Sequence, residues 1–135
     1  MQIKTIFQSI AAVTFAIFTL AAHAEATYTE SQPNITITSV QPDFTLKLRS
    51  NPSTGYSWAI EDYDAKYITP LEHSYQHATA QLPGAGGYEL WSFRVNPHAF
   101  ITSQQTTIRM MYTRPWEKIK RRTELVFHVT TEANH

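Results

Sequence analysis

The sequence predicts an all-β domain, a sandwich or a small barrel, and three observations carry that reading. Apolar residues recur with a period of two in short segments rich in β-branched and aromatic side chains. Gly, Pro, Asn and Ser punctuate the chain between those segments. No stretch sustains a 3.6-residue period between helix caps, and no internal repeat or low-complexity tract competes with the strand pattern. A chain of 135 residues holds one domain, or one domain plus a removable segment, because domains commonly run about 100 to 150 residues.

Residues 1–24, MQIKTIFQSIAAVTFAIFTLAAHA, carry a single charge at Lys4, a largely apolar run from Ile6 to Ala21 and a small-x-small site at Ala22-His23-Ala24. This composition predicts a secretory signal peptide cleaved after Ala24, leaving a domain over 25–135 and a periplasmic or secreted protein. Gln8, Ser9, Thr14 and Thr19 dilute the run, whereas a membrane anchor needs about 20 apolar residues. Loss of the leader takes the 11 Lys and Arg to 10 against 11 Asp and Glu, a formal charge of −1 with His neutral. Such a balance leaves no electrostatic footprint for nucleic acid. The chain has no cysteine, so it has no disulfide framework, thiolate nucleophile, Cys-based zinc site or lipid attachment point. The core must hold the fold alone, in a domain expected to be monomeric when free and not attached to a membrane.

The strands follow in order. After a polar lead-in over 26–33, Ile35 and Ile37 share one face. DFTLKLRS alternates Phe44, Leu46 and Leu48 against Thr45, Lys47 and Arg49, the pattern of a half-buried strand. Residues 56–60 resume as a short strand, and EDYDAK at 61–66 is expected to break it with charge. KYITPLEHSYQH at 66–77 is ambiguous: residues 72–80 admit a turn of helix, tightly bracketed by Pro70 and Pro83. YELWSFRV puts Trp91, Phe93 and Val95 on one face, TTIRMMY puts Ile108, Met110 and Tyr112 on one, and TELVFHV does the same for Leu125, Phe127 and Val129. The sum is about six to eight short strands.

Three inter-strand segments differ from ordinary connections. In NPSTGY at 51–56, Asn51 can start a turn, Pro52 fixes the next φ, and Gly55 is free to take positive φ, so that Ser53 and Thr54 stand on a rigid tip ahead of Tyr56. In PGAGGY at 83–88, Gly84, Ala85, Gly86 and Gly87 leave the backbone itself as the available surface. In TRPWE at 113–117, Pro115 stiffens the chain beside Arg114 and Trp116, two residue types enriched at binding hot spots. Tyr56 and Trp58 read as loop-base and core residues, and Trp91 and Phe93 as core. Trp116 breaks the strand alternation within a turn and must pack or bind.

Other constellations are weaker. His73 and His77 have the i, i+4 spacing of a helical metal pair, but they lack a third ligand or an HExxH pattern and read as surface histidines. No nucleophile elbow appears, and the Gly-rich segment is followed by neither a helix start nor a Lys-Ser/Thr pair, which argues against catalysis and phosphate binding. The basic run from Lys118 to Arg122 reads as a solvated strand end or turn. No cofactor or metal is expected.

The three loops, in this order and at these intervals, resemble the chagasin-like inhibitors of cysteine peptidases. That family carries an NP-[ST]-TGY/F loop, a GxGG loop and an RPW loop, which stand here as Asn51 to Tyr56, Gly84 to Gly87 and Arg114 to Trp116. The resemblance covers nearly the whole of 25–135, and KIKRR at 118–122 is its main departure. It implies an immunoglobulin-like sandwich with three loops at one end, and reversible, tight binding to papain-like cysteine peptidases. The first loop would enter the catalytic cleft, with the Thr54 hydroxyl at the thiolate–imidazolium pair. The second would lie along the non-primed side, and the third would set Trp116 on the primed side. The alternative is a non-inhibitory extracytoplasmic binding or adhesion module on the same fold.

Overall fold

The computed structural model describes residues 14, 16, 17, 25–78, 85–117 and 123–134. The predicted signal peptide therefore lies almost wholly outside the described residues, as do Gly84, Pro83 and the run from Lys118 to Arg122. Among the described residues there are eight strands: β1 (Ala26–Thr29), β2 (Asn34–Ile37), β3 (Asp43–Ser50), β4 (Ser57–Tyr63), β5 (Ile68–His77), β6 (Gly87–Val95), β7 (Gln105–Thr113) and β8 (Thr123–Thr131). Two short 3-10 turns, Pro52–Thr54 and Pro97–Phe100, complete the regular structure. The strands form two four-stranded sheets, ordered β1-β3-β6-β5 and β2-β8-β7-β4. The all-β sandwich is thus the observed architecture.

Alternation explains most of the packing. Phe44, Leu46 and Leu48 of β3, Phe93 and Val95 of β6, Ile35 and Ile37 of β2, Ile108 and Met110 of β7, and Phe127 and Val129 of β8 are all buried, each set on one face of its strand. Phe44 and Phe93, directly paired across β3 and β6, stack with ring centroids 5.5 Å apart. Trp91 shares the inward face but lies beside the edge strand β5, where it is half-buried and covered by His73 at 3.8 Å between ring centroids. It is a rim residue, not a core one.

The charged EDYDAK segment does not end its strand at Ile60. β4 continues to Tyr63 through a bulge between Ile60 and Asp62, and Glu61 and Asp62 stay exposed. A bulge on an edge strand absorbs the extra residue and lets charge discourage edge-to-edge pairing. Nor is there a helical turn over the described part of 72–80. Residues through His77 pair along β6 as part of β5, with a register shift between Pro70 and Glu72 that accommodates the proline at the edge.

Side chains seal one end of the sandwich. Ala99 and Phe100 of the second 3-10 turn are buried there, and the Thr131 hydroxyl donates to the Ala99 carbonyl at 2.6 Å. The Asn96 amide donates to the carbonyls of Ala65 and Lys66 at 3.3 and 3.1 Å, while its oxygen accepts from Thr69 at 2.6 Å. Beside it Arg94 makes a bidentate pair with Asp43, both bonds 2.7 Å. The hydrogen bonds from Arg94 hold the Asp43 carboxyl below its usual range against the opposing effect of burial, and the charge of Arg94 adds a smaller lowering.

Candidate functional site

Strand register brings the three loops together at the other end. Ser50, the last residue of β3, pairs with Gly87, the first of β6, and His77 at the end of β5 pairs with the same glycine. The described end of the Gly-rich connection, Ala85 to Gly87, therefore lies beside the end of β3. In the second sheet Ser57, opening β4, pairs with Thr113, closing β7. The Asn51–Tyr56 segment joins β3 to β4, so it crosses between sheets with the Gly-rich loop on one side and the Arg114–Trp116 loop on the other.

The first loop is stiff through its own bonds. Asn51 is extended, as a residue before proline prefers, and Pro52–Thr54 form a 3-10 turn ending at Gly55 with φ of +80°. The Thr54 and Gly55 amides donate to the carbonyls of Asn51 and Pro52 at 3.1 and 3.0 Å. The Ser53 hydroxyl donates to Asn51 Oδ1 at 2.6 Å, and that of Thr54 to the Asn51 carbonyl at 2.6 Å while accepting from the Tyr56 amide at 3.3 Å. Pro52, Ser53 and Thr54 are nevertheless exposed, and the turn buries no residue. The Thr54 hydroxyl, which the resemblance would set at the thiolate–imidazolium pair of a peptidase, donates within the loop.

The third loop locks onto the first. The Glu117 amide donates to the Arg114 carbonyl at 3.3 Å, closing a turn around Pro115 and Trp116. Arg114 Nε donates to the Thr54 carbonyl at 2.8 Å, its Nη1 to Glu117 Oε1 at 2.8 Å, and its guanidinium lies 4.2 Å from the Tyr56 ring centroid. Trp116 remains 69% exposed. The edge of its indole occupies the space that a side chain at Gly55 would need: a Cβ there would lie 2.4 Å from Cη2. Gly55 is thus required by its backbone angle and by its neighbour at once.

The described part of the second loop is Ala85, Gly86 and Gly87. Gly86 has φ of +69°, and the Ala78 amide donates to its carbonyl at 3.2 Å. A Cβ at Gly87 would lie 2.2 Å from the Gln76 carbonyl oxygen, so only glycine allows this approach. An open groove of about 410 Å³ is lined by this loop together with Asn51 and Tyr112.

Beneath the loops sits a polar foundation. Tyr112 accepts from the Asn51 amide at 3.0 Å and packs against Tyr56 and Trp58, centroids 5.3 and 4.9 Å away. The Trp58 indole donates to the Arg49 carbonyl at 2.8 Å. Glu89 is 4% exposed and crosses between sheets: Oε2 accepts from the Trp58 amide at 2.9 Å and Oε1 pairs with His73 Nε2 at 2.9 Å. A buried carboxylate is costly unless hydrogen-bonded or paired, and here both oxygens are engaged. Tyr56 and Trp58 are base residues, as the sequence suggests. Glu89, His73 and Glu117 were not assigned to the site from sequence, although Glu89 left a signal: it falls in phase with Trp91, Phe93 and Val95 on an otherwise apolar face.

His73 and His77 do not form a metal pair. They lie on a strand, where four residues span about 13 Å, and His73 is engaged by Glu89 and Trp91. Among the described residues no group of three or more His, Cys, Asp or Glu is placed to hold a metal.

Fold and site together define a class: a two-sheet β-sandwich that holds stiff loops together at one end. The chain matches the chagasin family of peptidase inhibitors (I42) over residues 38–131 and belongs to that family, which is one of inhibitors and not of enzymes. It is 37% identical over 76 residues to Amoebiasin-2 of Entamoeba histolytica (strain ATCC 30459 / HM-1:IMSS / ABRM), an alignment covering 56% of this chain and 58% of that protein. The chain thus spans a little over half the length of that curated relative. The crystal structure of the cysteine protease inhibitor EhICP2 from Entamoeba histolytica is similar with a TM-score of 0.62 at 24% identity, over 79% of this chain and 95% of that one. The solution structure of Amebosin is similar with a TM-score of 0.56 at 23% identity, over 82% of this chain and 98% of that one. At such identities the two structures speak to the fold.

Proposed function

We propose that the chain is a reversible, tight-binding inhibitor of papain-like cysteine peptidases that blocks the active-site cleft with its three loops. Membership in a family of peptidase inhibitors supports the reading, as does the likeness to a fold whose EhICP2 representative is a cysteine protease inhibitor. The single observation that carries it is the junction of the loops: Pro52 to Thr54 and Trp116 are exposed, yet Arg114 bonds Thr54 across the gap and Trp116 rests on Gly55. Loops held in one arrangement before binding lose little freedom on binding, which lets a surface of about 800 Å² bind tightly.

The first loop enters the cleft as a compact tip. Its Thr54 hydroxyl stiffens the turn instead of donating to the thiolate–imidazolium pair that such peptidases carry. The Gly-rich loop offers backbone groups to an extended-substrate groove. Trp116 supplies a large apolar surface beside the cleft. The inhibitor works outside the cytoplasm, periplasmic or secreted, after removal of residues 1–24. It acts as a monomer, one per active site.

Titration of a fixed amount of papain with the chain tests this. Residual activity is expected to fall linearly to zero at one equivalent, with serine peptidases unaffected. No loss of activity at micromolar concentration against several papain-like enzymes would leave a non-inhibitory binding module.

A further inference from the structure

We propose that Glu117, which lies outside the three loop motifs, is a positioning residue that makes the first and third loops one rigid body; this rests on the inhibitory reading above. Its carboxylate engages two partners at once. Oε1 accepts from Arg114 Nη1 at 2.8 Å and Oε2 from the Tyr56 hydroxyl at 3.4 Å. Those partners are themselves joined, since the Arg114 guanidinium lies over the Tyr56 ring and Arg114 Nε reaches the Thr54 carbonyl. The contacts close a ring from Glu117 through Arg114 to Thr54, on to Tyr56, and back to Glu117. The ring ties residues about sixty positions apart in sequence.

An exposed ion pair contributes little to stability, but this one is sheltered, with side-chain exposures of 32% for Arg114 and 26% for Glu117. Its effect is on direction more than on energy. A guanidinium is a planar fork, and fixing two of its nitrogens fixes its plane. Glu117 thereby aims Arg114 Nε at the Thr54 carbonyl. Glu117 also anchors the chain directly after Trp116, whose indole lies against Gly55 of the first loop. Because its carboxylate oxygens are turned to partners within the chain, Glu117 acts on the peptidase through the loops and not by touching it.

This role has a kinetic signature. Removing an aligning residue lowers the fraction of free inhibitor in the binding arrangement, which divides the intrinsic Kd by that fraction, so that binding weakens and association slows. Removing a direct contact instead speeds dissociation, as most interface mutations do. Glu117→Ala is expected to slow association with papain about tenfold while leaving dissociation within about twofold. Glu117→Gln keeps the shape and part of the acceptor capacity and is expected to fall between Ala and the parent.

The same variants, free in solution, are read by amide hydrogen exchange at Thr54 and Gly55, whose bonds hold the first loop. Faster exchange there, on a substitution more than sixty residues away, is expected and needs no peptidase. Faster dissociation with unchanged association and exchange would make Glu117 a contact and overturn the proposal. Unchanged rates and exchange in both variants would also overturn it. A parent that inhibits nothing would sink the functional reading alone, because exchange in the free protein would still decide on Glu117.

Discussion

Two turns of this protein begin alike and end in opposite roles. Asn51-Pro52 and Asn96-Pro97 each open a 3-10 turn, each with an extended asparagine and no side-chain cap. After the first come Ser53 and Thr54, then Gly55 in the left-handed region, and the turn buries nothing. After the second come His98, Ala99 and Phe100, then Ile101 in the right-handed helical region, and the two apolar residues Ala99 and Phe100 enter the core. The asparagines differ accordingly. Asn51 accepts from Ser53 within its own loop, whereas Asn96 reaches out to the Ala65–Lys66 segment and to Thr69. Local turn chemistry sets the backbone shape; the two or three residues that follow decide whether the shape plugs an end or projects from it.

The contrast predicts that substitutions at the two ends separate stability from inhibition. The largest effect belongs to the plug. Phe100→Ala empties a fully enclosed site and is expected to cost about 3 to 5 kcal/mol of unfolding free energy, seen in denaturant melts, while the folded fraction inhibits like the parent. At the projecting end Trp116→Ala is expected to leave the melt unchanged, since the residue is mostly exposed. Its inhibition constant should rise by a factor corresponding to about 2 kcal/mol or more. An unchanged constant would remove the third loop from the binding surface.

Thr54→Val keeps the shape of the side chain but deletes the bond to Asn51, and Thr54→Ser keeps the bond. Valine is expected to weaken inhibition by a factor corresponding to about 1 kcal/mol through a looser loop, with serine close to the parent. Equal values for the two would return the hydroxyl to a minor role.

The smallest effect lies at the sealed end and depends on pH. The Asp43 carboxyl is held below its ordinary value of 3.8 by Arg94. Its contribution to stability is therefore fully present above that value and is lost as pH falls through the lower, folded one. Asp43→Asn should melt slightly lower than the parent at neutral pH, and the gap should close at pH below 3.8 with inhibition unchanged throughout. A gap that persists in acid would assign the effect to packing.

How much of this was readable beforehand follows from the range of each signal. Alternation is local, so Phe44, Leu46 and Leu48, or Phe127 and Val129, declare their strands and faces. Turn chemistry is local too, so the Pro52–Thr54 tip and its Gly55 stop could be read directly. β5 was not readable as a strand, because Pro70 and the mostly exposed run from Glu72 to His77 hide a segment paired on one side only. Sheet membership of β1 and β2, each a short strand running parallel to its neighbour, depends on partners far along the chain. The same holds for the site's internal bonds: nothing near Arg114 announces that its Nε will meet the carbonyl of Thr54. The twin at Asn96-Pro97 carries no such polar signature, because Ala99, Phe100 and Ile101 beyond His98 are apolar, which is also why it is a plug.

On the inhibitory reading one end of the sandwich binds and the other holds. Amide hydrogen exchange of the chain alone and in a one-to-one mixture with papain separates the two ends. Protection gained on binding is expected within residues 51–56, 85–87 and 114–117, with none at 96–105. Protection that appears at 96–105 or along a sheet face, with the loops unchanged, would contradict it.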